Sequence, residues 1–149
     1  MKKIFLIILL FFSSCGYNPI YINKDLKNFK FYKITIEGDE KINKMIINSL
    51  SLKKDELNNN LNELLLRSNY RINETSKNSK GQVETYRSNV SVEIVINKGN
   101  KILTMKKIEK SFSYNKRDNR FELIEYQKQV KTNLINSSIE EIILFLNLE

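Results

Sequence analysis

Hydrophobic and polar residues alternate with a period of two in two parts of the chain. The first part runs from Phe31 to Glu37 and stops at Gly38 and Asp39. The second begins at Gln82 and is more regular, with its apolar positions at Tyr86, Val90, Val92, Ile94 and Ile96. A period of two is typical of a strand that buries one face. Both parts are therefore predicted as β-strands, the second of them long.

Turn-forming residues divide the rest of this region. The sequence Lys98–Lys101 contains Gly and Asn and predicts a turn, after which Ile102–Tyr114 forms the second arm of a hairpin. Before the long strand, Tyr70–Glu74 is predicted as a short strand and Thr75–Gly81 as a polar loop. Asn115–Asn119 is predicted as a charged turn.

Two other segments carry apolar residues at helical spacing. In the first, the apolar positions are Ile42, Met45, Ile46, Leu50, Leu57, Leu61, Leu64 and Leu65. They predict one amphipathic helix of about 25 residues, with Ser51 as the place where it can kink. The second segment, Arg120–Leu148, is predicted to be helical throughout, although Ser137–Glu140 resembles a capping box at which the helix can bend or restart.

The predicted order of elements is strand, helix, three strands, helix. Two helices on one face of a mostly antiparallel four-stranded sheet would give every element a place to bury its apolar side. We therefore predict an α+β fold, a two-layer sandwich, formed by one domain over residues 30–149.

The beginning of the chain has a different character. Lys2 and Lys3 precede nine consecutive apolar residues, Ile4–Phe12, and these are followed by Ser13 and Ser14. A positive end, an apolar stretch and small residues are the parts of a secretory signal peptide. The stretch is too short to span a bilayer, which needs roughly 20 apolar residues. Residues 1–14 are predicted to be removed, and 15–29 to form a leader before the domain.

Cys15 is the only cysteine, and it stands where a lipoprotein signal peptide is cut. It is predicted to carry diacylglycerol on its thiol and an acyl chain on its amine. More than one chain is needed for stable attachment, so this cysteine would anchor the protein in a membrane. Gly16, in place of the Asp that retains lipoproteins in the inner membrane, favours the outer membrane. The alternative is a free cysteine after an ordinary signal peptide.

The amino-acid composition limits the classes of function that this chain can have. The chain has 25 basic and 17 acidic residues and a net charge of +8, which the loss of Lys2 and Lys3 lowers to +6. Anionic partners are one interpretation, and a solvated surface is the other. The chain has no histidine and no catalytic motif, so we expect no enzyme, no metal site and no cofactor beyond the lipid on Cys15. Dispersed basic residues and secretion argue against nucleic acid.

Three sequence features together resemble the LPS-assembly lipoprotein family, LptE, in its alphaproteobacterial form. The segment Ser14–Tyr21 reads SCGYNPIY, Gln82–Arg87 reads QVETYR before the long strand, and Ser111–Asn115 reads SFSYN before the last helix. The resemblance extends over nearly the whole mature chain, including the order of elements. Each motif is loose by itself.

This resemblance implies a non-catalytic subunit of the outer membrane. Members of the family sit in the lumen of the large barrel LptD, in a 1:1 heteromer, help it to assemble and bind lipopolysaccharide during transfer to the cell surface. Candidate contacts with lipid A phosphates are Arg87, Lys106, Lys107 and Lys110, unless these residues only form the solvent face of a sheet. The competing function is a generic outer-membrane lipoprotein that serves as an interaction module for another envelope complex.

Overall fold

The computed structural model describes residues 29–148. The predicted signal peptide, Cys15 and all of the predicted leader except Phe29 lie outside these residues. The described elements are β1 (Lys30–Phe31), β2 (Lys33–Gly38), α1 (Glu40–Ser49), β3 (Lys53–Lys54), β4 (Glu63–Lys77), β5 (Val83–Lys98), β6 (Lys101–Asn115) and α2 (Arg120–Leu148).

Four strands form the main sheet, in the order β2-β4-β5-β6. The pair β4–β5 and the pair β5–β6 are antiparallel, while β2 lies parallel to β4 after the crossover through α1. The very short β1 and β3 form a separate parallel pair. Both helices pack on the same face of the main sheet, so the predicted α+β fold, with two helices on a mostly antiparallel four-stranded sheet, is confirmed.

The hydrophobic core lies between this sheet and the two helices. Alternate positions of β5, including Val92 and Ile94, are almost fully buried because the period of two turns them all toward the helices. Ile42 from α1 and Ile142 from α2 are equally buried on the other side of the core. Burial of such a side chain stabilises the fold by roughly 1.5–3 kcal/mol, so this layer holds the two helices on the sheet.

The prediction of a helix of about 25 residues was wrong. Helix α1 has ten residues and ends at Ser49. The chain leaves the helix through Ser51, whose φ of 50° is left-handed, and Lys53–Lys54 then pairs with β1. Leu57 is 97% exposed and buries nothing. Leu64 and Leu65, which the predicted helix included, belong to β4, where they pair with both β2 and β5.

The strand predicted at Tyr70–Glu74 exists, but the prediction made it too short. Strand β4 has 15 residues, Glu63–Lys77, and it absorbs the start of the loop predicted at Thr75–Gly81. Polar residues such as Arg71 and Asn73 are compatible with a strand here because they are exposed to solvent. Their backbone pairs with β5, which stabilises the strand without apolar side chains.

Helix α2 is continuous over 29 residues, or about 44 Å. The helix does not restart at Ser137–Glu140, where the Ser138 hydroxyl donates backward to the Leu134 carbonyl at 2.9 Å instead of capping a new helix. Asn119 caps the start by accepting from the Phe121 amide at 2.8 Å. Within residues 29–148 no helix has the length and apolar composition that a membrane span requires.

The junction between β2 and α1 is tightly fixed against β4. Gly38 has a φ of +82°, and a Cβ at this position would overlap the backbone oxygen of Ser68. The next residue, Asp39, donates its amide to the same oxygen at 2.8 Å and accepts from the amides of Lys41 and Ile42 as the cap of α1. Only a residue without a side chain allows this approach.

Candidate functional site: the two faces and the outer edge of the sheet

The main sheet presents two different faces. Opposite residues of neighbouring strands share a face, so the pairs Val92–Ile108 and Ile94–Lys106 lie on the side of the helices, which we call the helix face. The intervening pair, Glu93–Lys107, lies on the other side, which we call the open face. No helix of residues 29–148 buries its apolar side against the open face. The four predicted contact residues are therefore divided between two environments.

Lys106 and Lys110 lie on the helix face and both contact Glu141 of α2. Their ammonium groups are 3.4 and 2.7 Å from the carboxylate. The hydrogen bond from Lys110 is the largest influence on Glu141 and lowers its pKa, against the smaller opposing effect of burial. These two lysines thus tie β6 to α2, and their contact with lipopolysaccharide stays a prediction.

This ion pair predicts a pH dependence of stability. Since the pKa of Glu141 is lowered from 4.5 in the folded protein, its charge stabilises the fold above that pH, and the stabilisation is lost as the pH falls through the lowered value. Because the pair is partly exposed, we expect less than about 1 kcal/mol. Urea unfolding should show wild type more stable than Glu141→Gln at pH 7, with the difference shrinking as the pH is lowered below 4.5. A difference that does not change with pH would contradict this.

Arg87 and Lys107 lie on the open face but far from each other. Arg87 Nε donates to the Ser113 hydroxyl at 3.0 Å, and Lys107 lies 2.6 Å from Glu109. The hydrogen bond to Glu109 is the main reason that the pKa of Lys107 is raised. Arg87 pairs with Ser113 and Lys107 with Glu93, six residues farther along β5, which is about 20 Å. The structure does not bring the predicted contacts together into one site.

A row of alternating charges crosses the open face, and sequence reasoning missed it. The row runs through Glu37, Arg67, Glu93 and Lys107, one residue from each main strand. Arg67 donates to Glu37 at 2.5 Å and to Glu93 at 2.8 Å. The hydrogen bond to Glu37, more than that to Glu93, raises the pKa of Arg67. The spacing in sequence gave no signal, because the row depends on the parallel register of β2 and β4.

Apolar residues gather at one end of the sheet, next to this row. Val95 is buried although it does not belong to the main core, and it lies between Leu65 and Met105 in the neighbouring strands. Met105 is 59% exposed, and Ile102 and Leu103 at the start of β6 are exposed as well. We call these five residues the apolar corner. It is the main apolar feature beside the polar part of the open face.

Tyrosines occupy the opposite end of the helix face. The buried Ser88 hydroxyl lies 3.0 Å from the hydroxyl of Tyr70 and 3.1 Å from that of Tyr114, which links three strands. Burial is the main reason that the pKa of Tyr70 is raised. Tyr126 of α2 meets Tyr114 edge to face, with ring centroids 5.5 Å apart. These hydroxyls satisfy one another, so the group has a structural role.

Two surface depressions accompany these faces. One, of about 440 Å³, lies where the β4–β5 turn meets the β6–α2 loop and is lined by polar residues such as Gln82, Thr85 and Lys116. The other, of about 280 Å³, lies beside Gly38 and Asn43 at the start of α1. Among residues 29–148 no group of three acidic, histidine or cysteine side chains is placed to hold a metal ion.

The sequence matches no protein-family model and no curated protein. Its fold, however, is shared with solved structures. Rare lipoprotein B from Shewanella oneidensis has a TM-score of 0.60 at 13% identity, covering 77% of this chain and 93% of that one. An uncharacterized lipoprotein B from Nitrosomonas europaea has 0.56 at 11%, covering 82% and 86%.

A third solved structure of similar fold comes from a different kind of bacterial protein. The homolog of the neuraminyllactose-binding hemagglutinin from Helicobacter pylori has a TM-score of 0.53 at 13% identity and covers 78% of this chain and 82% of that one. At these identities the likeness shows the fold. The chain is thus similar in fold to a set of bacterial proteins that includes lipoproteins.

Proposed function

We propose that this chain is an outer-membrane lipoprotein that plugs an LptD-type β-barrel, helps it to assemble, and serves lipopolysaccharide transport to the cell surface. The observation that carries the proposal is the fold shared with rare lipoprotein B over 93% of that protein's length. The predicted signal peptide and Cys15 at the start of the chain support the same class. The LptE-like motifs around Cys15 and in the last strands support the particular partner.

The dimensions of the domain suit a plug. Strands of 15 residues extend over about 50 Å, and α2 lies along them for about 44 Å. A wide barrel leaves an aqueous channel with a polar inner wall, which has to be closed. Most of the open face is polar, as Asn69, Ser91 and Glu109 show, and it can lie against such a wall without desolvating apolar surface.

A lipid on Cys15 would help the two proteins to meet. An anchored domain and a barrel in the same membrane are confined to a thin layer, which raises their effective concentration. Two or more acyl chains make that confinement lasting, because each buried methylene contributes roughly 0.8 kcal/mol. Gly16 after the cysteine favours the outer membrane as the place where this happens.

For lipopolysaccharide itself we propose Arg87 and Lys107 as the more accessible of the candidates. Both are on the open face and exposed, and guanidinium and ammonium groups suit phosphate. Lys107 contacts Glu109 as well, but its side chain is 62% exposed, whereas those of Lys106 and Lys110 are 42% and 29% exposed and held by Glu141. Direct contact through these two is therefore the less favoured part of the proposal.

Co-purification tests the proposal. The tagged full-length chain is expressed together with the LptD-type barrel of the same organism and extracted in detergent, and the amounts of both proteins are measured. We expect close to one barrel per lipoprotein. A Cys15→Ala variant should lose incorporation of an alkyne-tagged fatty acid and recover less barrel. The matched control is Cys15→Ala combined with Ser79→Cys, which restores a thiol on an exposed turn but should restore neither property.

Each part of the proposal can fail separately. Labelling that persists in Cys15→Ala would exclude lipid attachment at this residue. Wild type that is labelled but recovers no barrel would exclude the plug. If it instead brings down another envelope protein in equal amount, the chain acts as an interaction module for that complex, which is the competing function.

A further inference from the structure

Strand β6 is an edge strand of the main sheet along its whole length. It pairs with β5 from Lys101 to Asn115, and no strand of residues 29–148 pairs with its other side. The opposite edge of the sheet is formed by β2, which has only six residues. The long edge therefore offers far more backbone to a further strand than the short one does.

The direction of the backbone groups on β6 follows from one hydrogen bond. The Lys116 amide donates to the Glu84 carbonyl at 2.7 Å, so the antiparallel pair 84–116 is a hydrogen-bonded pair. Such pairs alternate along an antiparallel ladder. Even-numbered residues of β6 up to Tyr114 therefore bond to β5. The amides of the odd-numbered residues point outward, namely Met105, Lys107, Glu109, Ser111 and Ser113.

A second hydrogen bond supports this assignment on the far side of the sheet. Because β5 bonds to β6 through its even-numbered residues, it bonds to β4 through its odd-numbered ones, which pair with odd-numbered residues of β4. The backbone amides and carbonyls of the even-numbered residues of β4 therefore point toward β2. The Asp39 amide, which follows directly after β2, donates to the carbonyl of Ser68 at 2.8 Å, as this orientation requires. The five outward amides of β6 are thus fixed by the register of the whole sheet.

The side chains at the outer edge include exposed apolar ones. Ile102 is 60% exposed, Met105 is 59% exposed, and Leu103 lies between them in the apolar corner. Soluble edge strands are usually protected by proline, by a bulge or by brevity. Strand β6 has no proline, and its one irregularity is the register shift at Leu103, beyond which the ladder is regular from Thr104 to Asn115. Its remaining protection is charge, in the form of lysines at 101, 106, 107 and 110.

We propose that the outer edge of β6 accepts an extended segment of the partner barrel as a fifth strand of the sheet. This inference rests on the proposed function, because it takes the barrel as the partner. Backbone hydrogen bonds would provide the attachment, and the apolar corner would anchor one end of the segment. The segment is expected to be apolar opposite Ile102–Met105 and acidic farther along.

Charge distinguishes this partner from a second copy of the chain. The four lysines of β6 face three carboxylates, namely Glu93 of β5, Glu109 on the same strand and Glu141 of α2, and Glu93 is shared with Arg67. The edge therefore carries excess positive charge. Two such edges placed side by side would repel each other, whereas an acidic segment would be attracted. The edge therefore suits a different chain of opposite charge.

A competition experiment with one residue tests the strand addition. Ser111→Pro removes an outward amide but none of the bonds to β5, and proline is tolerated on an edge strand. The matched control Ser111→Ala keeps the amide. Wild type and one variant, with different tags, are expressed in full length together with a limiting amount of barrel. We expect the barrel-bound share of Ser111→Pro to fall about tenfold, and that of Ser111→Ala to stay equal to wild type.

A second substitution pair and a direct measurement guard against a folding artefact. Met105→Lys should lose in the same competition, while Leu144→Lys, on an equally exposed residue of α2, should not. Hydrogen exchange of wild type should show the five outward amides slowing when the barrel is bound. Equal competition by Ser111→Pro with no slowing in β6, while the barrel still binds, would overturn the strand addition and leave the proposed function standing. Failure of wild type to bind the barrel would overturn both.

Discussion

Replacing Gly38 with Ala is expected to lower the free energy of unfolding by about 3 kcal/mol or more. Its φ of +82° strains any side chain, and a Cβ would also overlap the Ser68 oxygen, which is backbone and cannot rotate away. The strand β2 and helix α1 would have to move off β4 together. Urea unfolding of the detergent-solubilised protein, followed by circular dichroism, measures the loss.

Gly81 offers a matched control for this prediction. It has nearly the same φ, +77°, but a Cβ there would have nothing within 4 Å. Gly81→Ala is therefore expected to cost only the conformational strain, roughly 1–2 kcal/mol. The difference between the two variants isolates the steric overlap. Equal losses would show that the close approach at Ser68 is not what fixes the junction.

Ile142→Ala should have an effect of similar size in the middle of the core. Ile142 is 1% exposed and packs between α2 and the sheet, so truncation removes buried methylenes and leaves a cavity. Such a change costs roughly 2–5 kcal/mol. The midpoint of urea unfolding should fall accordingly, while the m value, the slope of the unfolding free energy against urea concentration, stays unchanged.

Leu144 lies on the same helix two residues away and is 57% exposed. Leu144→Ala removes the same number of carbon atoms and keeps a good helix former, so the expected change lies within about 0.5 kcal/mol. Comparable losses for both variants would mean that α2 does not present Ile142 to the core as the continuous helix requires.

The parts of the fold that the sequence could predict are those whose pattern has a single interpretation. From Val90 to Ile94 apolar and polar residues alternate without interruption, and only a strand accommodates that period. The turn at Lys98–Lys101 fixes β6 as the antiparallel neighbour. Helix α2 was predictable for the same reason, because its apolar stripe is too long for a strand.

The first helix shows where such prediction stops. Leu57, Leu61 and Leu64 are spaced at four and three residues, which fits a helix, but nothing local shows that Leu57 remains in solvent. The true end depends on Ser51 taking a left-handed φ and on Lys53–Lys54 pairing with β1. Both are tertiary effects that override the periodicity.

The candidate site was predictable only in part. Alternation along a strand already places Lys106 and Lys110 on the face of Ile108, and Lys107 on the other face. The three candidate lysines therefore cannot all lie on one face of the sheet. That Glu141 faces Lys106 and Lys110, however, depends on how α2 lies across the sheet, and the charged row through Arg67 depends on the parallel pairing of β2 with β4.

The short pairing of β2 has a consequence for how the domain comes apart. It holds β4 only from Glu63 to Ser68, so the remainder of β4 is paired on one side alone. At the end of the sheet where β2 pairs with β4, four strands and both helices therefore pack together. The other end has three strands and the first turns of α2. Local unfolding should begin at that second end, as a separate cooperative unit, while the first end still keeps its native structure.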